Sequence, residues 1–267
     1  MKKIHYQNVG FPRTGTTWLW RSLIDNPAVF KVDNFSLRLK TRKFALDNKE
    51  NSWQEDNVEK LIDDPSEYIN IYSKYDVSMN FRPFTFMISD AAIEKIAEYT
   101  THASIIIRNP YEVLDSFYNM QHLFQDDLDK NIVQTTSLGD EWKAYKLLYP
   151  EVSGSNQSDV LNFYIYRFSF ANTVRRWLNF KNKFKVFYYE DLVHNPNAFY
   201  NSVCEFIGIP FNSPIPEIVN DSEGLNKIHN KSNLTHFLFY PDHILTVNRE
   251  IDQLSEILGK DFSHWKR

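Results

Sequence analysis

Residues 4–25 read Ile4-His5-Tyr6-Gln7-Asn8-Val9, then Gly10-Phe11-Pro12-Arg13-Thr14-Gly15, then Thr16-Thr17-Trp18-Leu19-Trp20-Arg21-Ser22-Leu23-Ile24-Asp25. The first block is a short run containing Ile, Tyr and Val that stops at a glycine, the pattern of a buried strand. The second block is a loop by its glycine and proline content. The third predicts a helix with Trp18, Leu19 and Leu23 turned inward, ended by Asn26-Pro27. Strand, glycine loop and helix in this order open a βαβ unit.

Further apolar runs extend the pattern. Ala103–Ile107 and Phe184–Tyr189 predict two more strands, and Tyr75–Phe81 a strand or extended edge. Between them, Ala91–Tyr99 is amphipathic and helical. Asn109 can cap a helix whose first residue is Pro110, Glu112 completes a capping box, and the helix reaches about Phe124. Val160–Phe180 predicts one long aromatic-rich helix, and Ala198–Ile207 a helix stopped by Gly208. Ile244, Val247, Ile251, Leu254 and Leu258 form the stripe of a closing amphipathic helix. Segment 33–70 is polar, with short helices expected around Trp53, Val58, Leu61 and Ile62, and 125–159 is polar with an isolated helix around Trp142. No repeat or composition break divides the 267 residues, so a single domain over 1–267 is expected.

Composition narrows the function classes. Thirty Lys and Arg against 34 Asp and Glu leave a net charge of −4, which excludes a generally basic nucleic-acid binder. A hydrophobic content of 42% supports a sizeable core and excludes global disorder. The single cysteine, Cys204, lies among Phe199, Val203, Phe206 and Ile207, a core position, and rules out an intrachain disulfide. The histidines show no metal-ligand spacing, so no metal site is expected. Asn233-Leu234-Thr235 matches a glycosylation sequon but nothing supports secretion. Neither a signal peptide nor an apolar run of membrane-spanning length is found, so a soluble cytoplasmic protein without membrane partners is expected.

Gly10–Thr17 keeps the glycine spacing and final threonine of the phosphate-binding loop G-x-x-x-x-G-K-[ST], but Thr16 stands where the lysine belongs. That lysine reaches the β- and γ-phosphates, so its loss argues against ATP phosphoryl transfer. Backbone amides at a helix start still favour an anion. Thr14, Thr16 and Thr17 add hydroxyls and Arg13 a permanent charge. Taken alone, the loop fits a plain strand-to-helix turn as well as an anion cradle. In the stretch Arg108-Asn109-Pro110-Tyr111-Glu112-Val113-Leu114-Asp115-Ser116, Arg108 leaves a strand at its carboxyl end, where α/β sheets bind ligands. Ser116, two helical turns beyond Asn109, faces the same way as the cap. Taken alone, this fits an Arg–carboxylate pair with an incidental serine as well as a second anion site.

Together the two stretches resemble the sulfotransferases that use 3′-phosphoadenosine 5′-phosphosulfate (PAPS). The first signature of that family, P-[KR]-[ST]-G-[ST]-[ST]-W, reads here Pro12-Arg13-Thr14-Gly15-Thr16-Thr17-Trp18. The second, an apolar strand followed by R-N-P-x-[DE]-V-x-x-S, runs from Ile105 to Ser116. Weaker echoes are Trp177 before the third apolar strand, Tyr189-Glu190-Asp191-Leu192 after it, and the closing helix that ends near Trp265. The resemblance implies a P-loop-like three-layer α/β fold with a central, mainly parallel sheet flanked by helices.

It also implies roles. Arg13, Thr14, Gly15, Thr16 and Thr17 would hold the 5′-phosphosulfate, Trp18 would stack on adenine, and Arg108 and Ser116 would hold the 3′-phosphate. The C-terminal nucleotide loop of cytosolic members has no clear match. Lys227-Ile228-His229-Asn230-Lys231-Ser232 is the basic cluster in its place, and Lys227 and Lys231 are carried over from it; a solvated loop fits them equally. Aligning Lys74-Tyr75-Asp76-Val77-Ser78-Met79-Asn80-Phe81 with the base segments of cytosolic and heparan-type members puts the catalytic base at Asp76, with Lys74 and Arg13 as further catalytic groups. His102 is the fallback base, although it precedes its strand. Arginine at position 13 leans towards the tyrosylprotein and bacterial carbohydrate-type members. The expected reaction moves a sulfuryl group from PAPS to an acceptor hydroxyl or amine, carbohydrate included, leaving adenosine 3′,5′-bisphosphate and needing no metal. A P-loop kinase and a non-catalytic sulfonucleotide-binding protein are the alternatives. The acceptor and the oligomeric state are not readable from the chain.

Overall fold

A computed structural model of the chain describes residues 4–24, 26–29, 77–81, 86, 90–123, 157–211 and 239–267. Asp76, Lys74, Lys227, Lys231, the sequon at Asn233, and the helices expected around residues 53–62 and 142 lie outside the described residues. The chain divides into two compact units. One comprises Met1–Asp33, Asp64–Arg108 and Leu178–Thr235, the other Asn34–Asp63, Asn109–Trp177 and His236–Arg267.

The first unit holds a parallel sheet with helices. Strands β1 (Ile4–Asn8), β2 (Val77–Phe81), β3 (His102–Ile107) and β4 (Lys183–Tyr188) lie in the order β2-β1-β3-β4. All three pairings are parallel, with Asn8 opposite both Phe81 and Ser104, and Ile107 opposite Tyr188. β3 is buried at all six positions, as an inner parallel strand must be. β4, at one end of the described sheet, exposes Lys183 and Lys185, charges that discourage edge pairing. Helices α1 (Thr16–Ile24) and α2 (Asp90–Tyr99) follow the expected bounds within a residue.

After β4 the chain enters the short helix α6 (Tyr189–His194) and then α7 (Pro196–Ile207). Asn195 caps α7 by accepting the Ala198 N–H, Pro196 occupies its first turn, and Gly208 closes it at φ 83°. Trp18, Leu19 and Leu23 of α1 pack with Phe199, Tyr200, Val203, Cys204 and Ile207 of α7 over Tyr6, Met79, Ile106 and Phe187 of the sheet. Burial pushes the Cys204 thiol up to about 11, so it stays protonated in this core.

The second unit holds α3 (Pro110–Leu123), α4 (Gln157–Phe168), α5 (Phe170–Leu178, ending one residue into the first unit), α8 (Pro241–Leu258) and a 3₁₀ turn at Ser263–Trp265. Asn109 Oδ1 accepts the Tyr111 N–H at 3.0 Å, the cap expected for α3. The single helix expected over Val160–Phe180 is two helices. Ser169 adopts φ +36° between them, its hydroxyl donates to the Tyr166 carbonyl at 2.6 Å, and the Thr173 hydroxyl donates to the Phe168 carbonyl at 2.9 Å. Glu250 of α8 accepts the Ala171 N–H at 2.8 Å and so caps the second helix from outside. Among the described residues no helix is long and apolar enough to cross a membrane.

At the start of α8 the buried His243 accepts the Tyr240 N–H on Nδ1 at 3.2 Å. Burial holds its imidazole below the usual range, with Asp242 opposing. A depressed histidine pKa favours the fold above the unfolded value of about 6.5 and loses that contribution as pH falls through the folded value. Thermal unfolding followed from about pH 8 down to about pH 5 should therefore show stability falling below about pH 6.5. His243→Asn, whose carbonyl can accept the same amide without titrating, should flatten that fall; an unchanged acid limb would remove His243 from the explanation.

Candidate functional site

Beyond Asn8 the chain stays on β3 for three more residues. Val9 N–H donates to Ser104 O at 2.9 Å, Ile106 N–H to Gly10 O at 3.0 Å, and Phe11 N–H to Ile106 O at 3.4 Å. Phe11 is buried with its ring 4.8 Å from that of Phe86. The loop then turns through three left-handed residues, Gly10 (φ 130°), Arg13 (φ 67°) and Gly15 (φ 86°). Thr14 is fully buried, and its hydroxyl donates to the Phe11 carbonyl at 2.6 Å. A hydroxyl has one proton, so in this arrangement the Thr14 side chain shapes the loop.

The first ladder bond of α1 runs from Leu19 N–H to Gly15 O at 3.0 Å. The amides of Gly15, Thr16 and Thr17 come before it and carry the positive end of the helix. Thr17 is exposed and Thr16 buried. Trp18 is 9% exposed and its ring packs edge-on to Phe199 at 6.2 Å.

Arg108 is the first residue past β3. Because Ile107 is paired with Tyr188, Arg108 comes out beside Tyr189, and its guanidinium lies 4.3 Å from the centre of that ring. Its Nη1 donates to the Arg13 carbonyl at 3.2 Å. The side chain is 7% exposed, so a permanent charge is held against the glycine loop with little water around it. Burial, and then the neighbouring Arg108 charge, lower the pKa of Arg13. A guanidinium held against this loop, in addition to the charge that Arg13 carries on it, favours an anion nearby.

Tyr189 and Leu192 were not singled out as site residues by the sequence, yet they set the loop. A Cβ built on Gly15 would collide with the Leu192 side chain and come within 3.5 Å of the Tyr189 ring. Gly15 is therefore required twice, for its φ and for the close approach of α6. The available signal was Tyr189-Glu190-Asp191-Leu192 directly after an apolar strand, but the contact depends on the β3–β4 register.

Among the remaining expected residues, Ser116 is half-buried on α3 in the second unit. Asn109, which caps that helix, also donates through Nδ2 to the Trp265 carbonyl at 3.3 Å. His102 opens β3, its Nδ1 2.8 Å from the Thr101 hydroxyl, about 20 Å of strand away from Arg108 at the other end. That removes it as a base for chemistry at the loop. Among the described residues no group of three His, Cys, Asp or Glu is placed to hold a metal ion.

Gly15→Ala should cost at least ~2 kcal/mol, because a left-handed alanine is strained and its methyl overpacks against Leu192. Gly208→Ala is the comparison: its φ of 83° is similar but nothing lies within 4 Å of the added methyl, so it should cost only ~1 kcal/mol. Denaturant titration of both variants checks this, and equal losses would contradict the close-approach argument.

The chain matches the sulfotransferase domain family over residues 8–236. No curated protein matches it. Among solved structures it is similar to a sulfotransferase from Alicyclobacillus acidocaldarius, at 17% identity and TM-score 0.58, with 100% of each chain covered. It is also similar to the sulfotransferase domain of the Synechococcus PCC 7002 olefin synthase, at 15% identity and TM-score 0.47, covering 98% of this chain and 97% of that one. A match running through the glycine loop, Arg108 and α6, on a parallel sheet flanked by helices, means that the chain belongs to the sulfotransferase family, enzymes of sulfuryl transfer.

Proposed function

We propose that the enzyme takes its sulfuryl group from PAPS and delivers it to a hydroxyl, with an amine as the lesser alternative, releasing adenosine 3′,5′-bisphosphate. The observation that carries this reading is the contact of Arg108 with Arg13 in a glycine loop whose lysine position is threonine. Two guanidinium groups at one helix start suit a ligand with two separate phosphates. The missing lysine disfavours a kinase. In this reading Arg13 and the amides of Gly15, Thr16 and Thr17 take the 5′-phosphosulfate. Arg108 takes the 3′-phosphate, to which the reading also assigns Ser116. Lys227 and Lys231 are proposed as further nucleotide-binding residues.

Sulfuryl transfer is an in-line displacement. The bond from sulfur to the 5′-phosphate oxygen breaks as the bond to the acceptor oxygen forms, and the acceptor proton goes to a base. Asp76 is proposed as that base, with Lys74, two residues before it, as a further catalytic group. Arg13 and the amides of the first turn of α1 stabilise the charge that develops on the leaving phosphate. No metal is assigned a role. Arginine at position 13 keeps a carbohydrate hydroxyl among the proposed acceptors. The family match includes stretches of both units, which supports reading 1–267 as one catalytic domain. We place the enzyme in the cytoplasm, as its sequence led us to expect.

Two variants test the assignments. Arg108→Ala should weaken adenosine 3′,5′-bisphosphate by roughly 10–100-fold, the loss of a charge-assisted contact, and adenosine 5′-phosphate much less. Calorimetry with both ligands decides, and equal losses would take Arg108 off the 3′-phosphate. Asp76→Asn should keep nucleotide affinity within a few fold while turnover drops by ~10²–10⁴. Near-normal turnover in the folded variant would place the base elsewhere; no turnover by the unmodified enzyme over an acceptor panel would favour the non-catalytic binding protein.

A further inference from the structure

Three polar side chains stand in the apolar layer between the sheet and α1, each at most 1% exposed: Tyr6, Asn8 and Ser104. The register explains why they meet. Asn8 is paired with Ser104, and Tyr6 lies two residues back on the same face of β1. The Tyr6 and Ser104 hydroxyls are 2.6 Å apart, and Asn8 Nδ2 donates to Ser104 Oγ at 3.1 Å. Burial pushes the Tyr6 phenol up to about 12, so the chain is neutral. Such groups are costly in a core unless satisfied, and Leu or Val at these positions would avoid the cost.

Among the described residues this network has one outlet. Asn8 Oδ1 accepts the Gly10 N–H at 3.3 Å. Gly10 is the first left-handed residue of the loop, and its carbonyl is already fixed by Ile106 N–H at 3.0 Å. The carboxamide of Asn8 therefore fixes the other side of the same residue. Ser104 and Tyr6 in turn fix which way the carboxamide faces, since only its oxygen can receive the amide.

We propose that Asn8 is a positioning residue of the anion loop: through Gly10 it holds the loop in the conformation that binds the donor, and Ser104 and Tyr6 hold Asn8. The inference rests on the nucleotide reading above only for its ligand. The loop geometry itself is independent of that reading. Without the clamp the competent loop becomes a fraction of the ensemble, and apparent affinity falls by that fraction.

The test uses the full chain, adenosine 3′,5′-bisphosphate as probe, and amide hydrogen exchange at Gly10 as a readout that needs no ligand. Asn8→Ala should keep the circular dichroism of the parent, speed Gly10 exchange by at least about tenfold, and weaken the probe by about tenfold, or about 1.4 kcal/mol. Asn8→Ser, which can still accept an amide two residues on, should recover affinity to within about threefold of the parent. Unchanged affinity in Asn8→Ala, or a serine variant as weak as alanine, would overturn the proposal. Should Asn8→Ala not fold, Ser104→Ala carries the test: it frees the carboxamide to rotate, and Gly10 exchange no faster than in the parent would overturn the proposal. A parent enzyme that does not bind the probe would sink the nucleotide reading, while Gly10 exchange still decides the role of Asn8.

Discussion

The place where a side chain on Gly15 would be is filled by Leu192, with Tyr189 alongside. That close approach ties the glycine loop to the end of β4, and the other dependencies follow from it. Tyr189 also lies under the Arg108 guanidinium, which in turn donates to the Arg13 carbonyl. One aromatic ring thus links the two motifs of the chain. The parallel register makes this possible, since strands about 4.8 Å apart deliver their next residues side by side. A one-residue slip of β4 would turn Tyr189 to the other face and break the link.

The electrostatics have the same origin. Two guanidinium groups close together at a helix start repel each other and the helix dipole. Burial first, and then the neighbouring Arg108 charge, lower the pKa of Arg13. The fold tolerates it because the Arg13 carbonyl and the Tyr189 ring accept the Arg108 charge, and because the loop is fastened from below by Asn8 and Thr14. Under the proposed function, the donor's phosphates are the anions that would relieve this arrangement.

Local chemistry made part of this legible. A short apolar run ending in glycine had to be a strand. Asn109-Pro110 had to start a helix, and Asn109 caps it. Arg108 was placed at a strand end by the same reading. Features set by tertiary context were not legible. The break at Ser169 carries no glycine or proline; hydroxyl bonds to the Tyr166 and Phe168 carbonyls replace the lost helix bonds. An aromatic at position 18 suits either a base platform or a core, and its packing on Phe199 is set by tertiary contacts that the sequence does not show. The threonines of the loop look alike in sequence, yet Thr14 faces inward to a carbonyl while Thr17 is exposed. Tyr189 and Leu192 depend on a register no single segment encodes. Asp76 and Lys74 came from alignment with family patterns and lie outside the described residues.

Under the proposed function, a phosphate loop without its lysine, backed by Arg108, takes a sulfonucleotide and not a metal–triphosphate complex. Calorimetric titration of the unmodified enzyme tests it most directly, using adenosine 3′,5′-bisphosphate with and without excess EDTA, and ATP with Mg²⁺. The account predicts that the bisphosphate binds equally well in the chelator and at least about tenfold more tightly than Mg·ATP. Tighter binding of Mg·ATP, or bisphosphate binding that disappears with EDTA, would contradict it.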